Sequence, residues 1–265
     1  MRLPLGGRVV QLLELRLAAD QFVDTLGERH LAEHRRAVVG VRPVLPAFGA
    51  FPFLDEADVE EGEVVALIGR NGVGKTTTLR SILGLTPPRE GSVRFRGEDV
   101  TGEETHDIAR RGVGWVPEER RMFTHLTVDE NVRIATPESA NVPEAFETAY
   151  STFPELEDHR GKEAGDLSGG QQQMVAIARG LVGDNDLLLV DEPSEGLAPL
   201  IVEAVADAIR TVSEETTVLL VEQNFPLATE LADRYYLLDH GTVVDAGSTE
   251  GVSRDDETIR RYLSA

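Results

Sequence analysis

The chain has 265 residues, 41% of them hydrophobic, with a formal net charge of -21 and no cysteine. That length suits one large α/β domain with a small inserted subdomain rather than two full domains. Disulfide frameworks and cysteine-based zinc sites are excluded, and the negative charge repels a polyphosphate backbone at long range, so no nucleic-acid partner is expected.

Only Lys75 and Lys162 are lysines among the 26 basic residues. Such an acidic, lysine-poor surface stays soluble where salt screens its self-repulsion, which suits a salt-rich, halophilic cytoplasm. No apolar run approaches the ~20 residues of a membrane-spanning helix. Arg8, Glu14 and Arg16 break the apolar pattern of Met1 to Asp20, which does not read as a secretory signal. Membrane association is therefore expected through a partner.

Residues 1–59 are nearly balanced in charge, and three prolines fall between Arg42 and Phe53, so this segment reads as irregular. From Glu60 onward short β-rich runs alternate with helical patterns, as expected of a mainly parallel sheet flanked by helices. Glu63 to Ile68 is the first strand, followed by a glycine-rich loop and a helix running through Leu79 and Ile82. Ser92 to Phe95 and Val113 to Val116 are further strands. Residues 127–166 turn helical and acidic, the expected inserted subdomain. Leu187 to Val190 and Thr217 to Val221 continue the sheet. Tyr235 to Val244 reads as a hairpin turning at His240-Gly241, and with the strand at Ser92 to Phe95 it is expected to give an antiparallel layer beside the main sheet.

The loop after the first strand reads Gly69-Arg70-Asn71-Gly72-Val73-Gly74-Lys75-Thr76, followed by Thr77, and fits GxxxxGK[ST] between a strand and a helix. Glycines let backbone N–H groups curl round the β- and γ-phosphates, the helix N-terminus adds positive potential, Lys75 supplies a compact charge, and the Thr76 hydroxyl can ligate Mg²⁺. A glycine turn could meet the pattern by accident. A chain that otherwise uses arginine has nevertheless placed one of its two lysines here, where an ammonium suits phosphate.

Leu187 to Glu192 is an apolar run ending in two acids, which sets Asp191 at the carboxyl end of a buried strand. Alone, it is only a strand meeting a polar loop. Beside a phosphate loop, Asp191 can hold Mg²⁺ and Glu192 can polarise a water aimed at the γ-phosphate.

Leu167-Ser168-Gly169-Gly170-Gln171 lies between these two motifs. The three together resemble ABC ATPases over roughly Glu61 to the C-terminus. The resemblance implies an α/β P-loop NTPase fold of the ABC type, with a mainly parallel sheet, an antiparallel β layer and an inserted helical subdomain. It also implies ATP and Mg²⁺, and that Ser168, Gly169, Gly170 and Gln171, ahead of a helix over Gln172 to Gly180, bind the γ-phosphate of ATP held by an opposite subunit. Val116-Pro117-Glu118 with Arg120-Arg121, Asp191 to Pro199, and Val221-Glu222-Gln223-Asn224 look like the second ATPase subunit of branched-chain amino acid importers, with urea and short-amide importers as near alternatives. Implied partners are a second ATPase subunit or a second copy, transmembrane permease subunits and, indirectly, an extracytoplasmic binding protein. The implied location is the cytoplasmic face of the membrane. Repair and translation relatives carry long coiled-coil insertions or tandem cassettes, which this chain lacks.

Departures from the family pattern bear on rate. Glu118 stands where a glutamine usually senses Mg²⁺, and a carboxylate there can still ligate the ion. Gln223 replaces the switch histidine that contacts the γ-phosphate, and Ala198 replaces an aspartate that reaches across to the partner. These changes predict slow chemistry, or a subunit that binds ATP and gates rather than powers. The family's opening strand resembles Leu12 to Arg16, and Phe48, Phe51 and Phe53 are the candidates to stack on adenine.

Overall fold

The computed structural model describes residues 39–41, 57–88, 90–119, 122–137, 140–253 and 255–263. The expected strand at Leu12 to Arg16 and the three phenylalanines at 48, 51 and 53 lie outside them.

Strands β1 (Val39–Val41), β2 (Ala57–Val59) and β3 (Val64–Ile68) lead into helix α1 (Lys75–Ile82). Then come β4 (Val93–Phe95), β5 (Glu98–Asp99), α2 (Thr105–Arg110) and β6 (Val113–Val116). Helices α3 (Val128–Ala135) and α4 (Val142–Thr152) and two 3-10 turns, Pro154–His159 and Ala164–Asp166, precede α5 (Gly169–Leu181). The chain closes with β7 (Leu187–Asp191), α6 (Pro199–Ser213), β8 (Thr217–Glu222), α7 (Phe225–Leu231), β9 (Arg234–Asp239), β10 (Thr242–Ser248) and α8 (Glu257–Leu263).

Six strands form one sheet in the order β10-β9-β3-β8-β7-β6. All neighbours in it are parallel except the β9–β10 pair. Parallel strands covered on both faces read as continuous apolar runs because each pleat alternates between two cores. Here Val64, Ala66 and Ile68 of β3 face one core, shared with Leu188, Val190, Val218 and Leu220. Val65 and Leu67 face the other, with Leu187, Leu189, Leu219 and Val221. Leu79 and Ile82 of α1 pack into this second core, and Met174, Val175 and Ile177 of α5 into the first.

Both helix starts that flank the 127–166 stretch are fixed by reciprocal caps. The Thr127 hydroxyl accepts from Glu130 N at 3.2 Å while Thr127 N donates to the Glu130 carboxylate at 2.8 Å. Asn131, fully buried, donates to the carbonyls of Phe123, Leu126 and Thr127 and accepts from Phe123 N, tying the segment after β6 to α3.

The hairpin forms where expected, with φ of 45° at His240 and 78° at Gly241, the pair of positive values a two-residue turn requires. Its role differs from the expectation. β9 joins the main sheet parallel to β3, and β10 is that sheet's antiparallel edge. The separate antiparallel layer takes in the expected strand at Ser92 to Phe95 as β4 but not the hairpin; it is β2-β1-β4-β5, so two of its strands lie before residue 60. Three-residue strands carry no period that a sequence can display.

Candidate nucleotide site

The main sheet delivers the chemistry at the carboxyl ends of its strands, where parallel α/β sheets hold ligands. The loop from Gly69 leaves β3 and enters α1 through Gly74, whose φ is 112°. Only glycine takes that conformation without strain, so Gly74→Ala is expected to cost about 1–3 kcal/mol. Thermal unfolding measures that loss. The hairpin turn supports the same loop, because Gly241 N donates to Val73 O at 2.7 Å.

Lys75 is 3% exposed, and all three of its ammonium hydrogens have partners. Nζ donates to Gly69 O at 2.8 Å and Arg70 O at 3.0 Å, and lies 2.9 Å from Glu192 Oε1. Glu192, 8% exposed, sits in the left-handed region at φ 44°, and its N–H donates to Val221 O at 2.9 Å. The glutamate expected to face a water is thus held against the phosphate-loop lysine. A cavity of about 340 Å³ is lined by Asn71, Gly72, Gly74, Lys75, Thr76, Thr77, Glu118 and Glu192.

Thr76 Oγ1 donates to Asp191 Oδ1 at 3.2 Å. Burial pushes the Asp191 carboxyl up to about 6, against the opposing pull of Thr76, with the Glu192 charge adding to the rise. Its Oδ2 is buried without a hydrogen-bond partner among the described residues. A carboxylate oxygen left without a donor beside a hydroxyl, in an all-oxygen set, suits a hard divalent cation such as Mg²⁺. Glu118 follows β6 on the exposed rim of the cavity. Desolvation, then a hydrogen bond and repulsion from Glu195, with further repulsion from Asp191 and Glu192, push its carboxyl up to about 7.

Besides Gly69, Arg70, Val73 and Asp191, two groups of expected site residues lie outside this cavity's lining. Helix α5 begins at Gly169, not at Gln172, so Gly169, Gly170 and Gln171 form its first turn. Ser168 is the cap: its hydroxyl accepts from Gln171 N at 3.3 Å, its N–H donates to Gln171 Oε1 at 3.0 Å, and Gln171 Nε2 donates to Glu155 at 2.7 Å. Gln223 is exposed just after β8.

Glu222, which the motifs did not single out, is 1% exposed and accepts from Ser194 N and Asn224 N. The signal was present: β8 ends Val221-Glu222 as β7 ends Val190-Asp191, each an apolar run closed by one acid.

A phosphate loop on a mainly parallel sheet, with an acid pair at the end of the second strand over, defines a P-loop nucleoside-triphosphatase. The ABC transporter family model matches residues 55–195. The high-affinity branched-chain amino acid transport ATP-binding protein BraG of Pseudomonas aeruginosa is 41% identical over 71% of this chain and 82% of its own. A probable branched-chain amino acid transport ATP-binding protein, LivF of Archaeoglobus fulgidus, is 37% identical over 73% and 84%. More distant relatives are named for sulfate/thiosulfate import and lipopolysaccharide export. A crystal structure of an ATP-binding cassette of an ABC transporter in its ADP conformation superposes with a TM-score of 0.68 at 25% identity, covering 86% of this chain and 99% of that one. The chain belongs to the ABC transporter family, as an ATP-binding, ATP-hydrolysing transporter subunit. Among the described residues no helix is long and apolar enough to cross a membrane.

Proposed function

We propose that this subunit powers an importer of branched-chain amino acids, closing with a second ATPase subunit on two ATP molecules to move its permease partners. The observation that carries the ATPase chemistry is the cluster at the cavity, where Lys75, Glu192, Thr76 and Asp191 are linked by contacts of 2.9 and 3.2 Å. The solute follows from the names of the relatives and from the stretches around Glu118, Asp191 and Gln223. Urea or short-amide import is the neighbouring alternative.

In this scheme Gly72, Gly74, Thr77 and the other loop amides bind polyphosphate, and Lys75 exchanges Glu192 for a phosphate oxygen. Glu192, released, orients and polarises the attacking water. Thr76 and Asp191, with Glu118 at the rim, would hold Mg²⁺, which neutralises phosphate charge when bound. Ser168 and the first-turn amides of α5 act on the nucleotide of the facing subunit. That half-site logic favours a heterodimer whose partner carries the histidine replaced here by Gln223. The exposed position of Gln223, outside the cavity lining, also supports a gating subunit with weak hydrolysis. Permease subunits would hold the chain at the inner membrane face, served by an extracytoplasmic binding protein. The acidic, lysine-poor surface fits a salt-rich medium.

Lys75→Ala tests the site. Because it leaves the Glu192 carboxylate buried and unpaired, it is measured beside the Lys75→Ala/Glu192→Gln double variant, which removes that charge. Both are expected to bind MgATP at least ~100-fold more weakly, about 3 kcal/mol of lost phosphate contact. Full affinity in the double variant rules the site out. Labelled leucine uptake by cells lacking the gene tests the solute, and undiminished uptake removes it.

A further inference from the structure

We infer that Glu222 is a positioning residue for hydrolysis, a buried brace that sets the loop carrying Gln223 against the loop carrying Glu192. The inference rests on the ATPase function proposed above.

Glu222 ends β8, which pairs in parallel with β7, the strand ending at Asp191. Its two oxygens go to different loops. Oε1 accepts from Ser194 N at 3.1 Å, two residues beyond Glu192, and Oε2 accepts from Asn224 N at 3.0 Å, one residue beyond Gln223. The neighbouring backbone repeats the link, since Glu192 N donates to Val221 O. On the far side, Asn224 caps α7 by accepting from Leu227 N at 3.4 Å. Gln223 is therefore pinned between a strand end and a capped helix, and the amide that follows it is fixed by a carboxylate.

The choice of an ionisable residue is informative. Stripping a carboxylate of water costs several kcal/mol, and an apolar side chain would fill a purely structural position at no such cost. The charge becomes worthwhile where two backbone donors of separate loops need one acceptor each. Donor N–H groups aimed at a charged oxygen make roughly twice as strong a bond as neutral pairs. Ser194 also opens the segment that runs through Glu195 to Ala198, so the brace links Gln223 to the part of the chain that resembles a cross-subunit contact.

Glutamine has the same shape as Glu222 but only one acceptor oxygen, and its NH₂ would confront the second N–H, releasing one loop. The experiment is a double-mutant cycle on the full chain with MgATP, reading nucleotide affinity and single-turnover hydrolysis for Glu222→Gln, Gln223→Ala and the pair. Affinity is expected within about twofold of the parent in Glu222→Gln, because Glu192 keeps its own backbone bond to Val221 O and its pairing with Lys75. Its turnover is expected to fall about tenfold, and by under twofold when Gln223→Ala is already present. Equal losses in both backgrounds, or none in either, overturn the brace. A simple packing role would instead lower the unfolding temperature and give additive losses. If Glu222→Gln does not fold, Glu222→Asp carries the same cycle, since the shorter carboxylate keeps its charge but cannot span both amides. A parent protein without any Glu192-dependent turnover removes the ATPase function, and this inference with it, whereas an active parent with an additive cycle removes the brace alone.

Discussion

Glu192→Gln is expected to slow hydrolysis by roughly 10²- to 10⁴-fold, the usual worth of a positioned general base, while ATP binds more tightly than to the parent. The second half of that expectation comes from the ion pair. Lys75 has its three donors committed to Gly69 O, Arg70 O and Glu192 Oε1, and both charged groups are nearly excluded from water. Polyphosphate must displace at least one of these partners, and the carboxylate is the mobile one. Glutamine keeps the shape but gives up the charge, which leaves a buried ammonium without a counter-ion until phosphate arrives. Breaking a buried pair costs about 3–5 kcal/mol in the free protein, and the nucleotide relieves part of it. Recovery of 1.4 kcal/mol is tenfold in affinity, so a gain of about tenfold or more is expected. Titration with a fluorescent ATP analogue beside a phosphate-release assay reads both quantities. If affinity fell in step with turnover, Glu192 would be part of the binding surface and not a competitor for Lys75.

What sequence could and could not show follows from the range of each interaction. β3, β7 and β8 were legible because a strand buried on both faces is apolar through its interior, and Val64 to Ile68 meets that without exception. The His240-Gly241 turn was legible because two successive positive φ values call for such a pair. Its sheet partner was not, since nothing local says that β9 will pair with β3, some 170 residues earlier in the chain. β1 and β2 escaped notice for a related reason: β1 is held between β2 and β4 and β2 pairs with β1, so neither is set by its own three residues. At the site, the phosphate loop and the two acids were legible as local patterns with a stated chemistry. The Lys75–Glu192 contact was not, because it depends on the left-handed turn at Glu192. The start of α5 at Gly169 was also obscured, since two glycines disguise the first turn that the Ser168–Gln171 cap secures.

Asp191→Asn is expected to make the nucleotide-free protein more stable at neutral pH while it abolishes Mg²⁺-dependent turnover. The carboxyl is raised from the ordinary 3.8 to about 6, first by burial and with the Glu192 charge adding to it. Between those values the folded protein holds a proton that the unfolded chain has already released. Stability therefore falls as pH climbs through the window from about 4 to 6, and the loss persists above it. A gap of about two pH units is worth on the order of 3 kcal/mol. Asparagine never ionises, so the variant escapes that cost and can offer its NH₂ where Oδ2 now stands without a donor among the described residues. For a domain of this size the gain corresponds to roughly 6–12 °C in unfolding temperature at pH 7. Near pH 4 the parent is protonated too, and the difference should shrink toward zero. Thermal melts at both pH values, with chelator and without nucleotide, decide between this and a structural role. Equal gains at pH 4 and pH 7 would show that ionisation is not the cause, and a loss of stability at pH 7 would show that native contacts hold Asp191. The sign matters for function as well as folding. A carboxylate kept destabilised in the free protein is one whose charge is satisfied only when a cation is brought to it, so the energy lost in folding is recovered on binding the metal-bearing substrate.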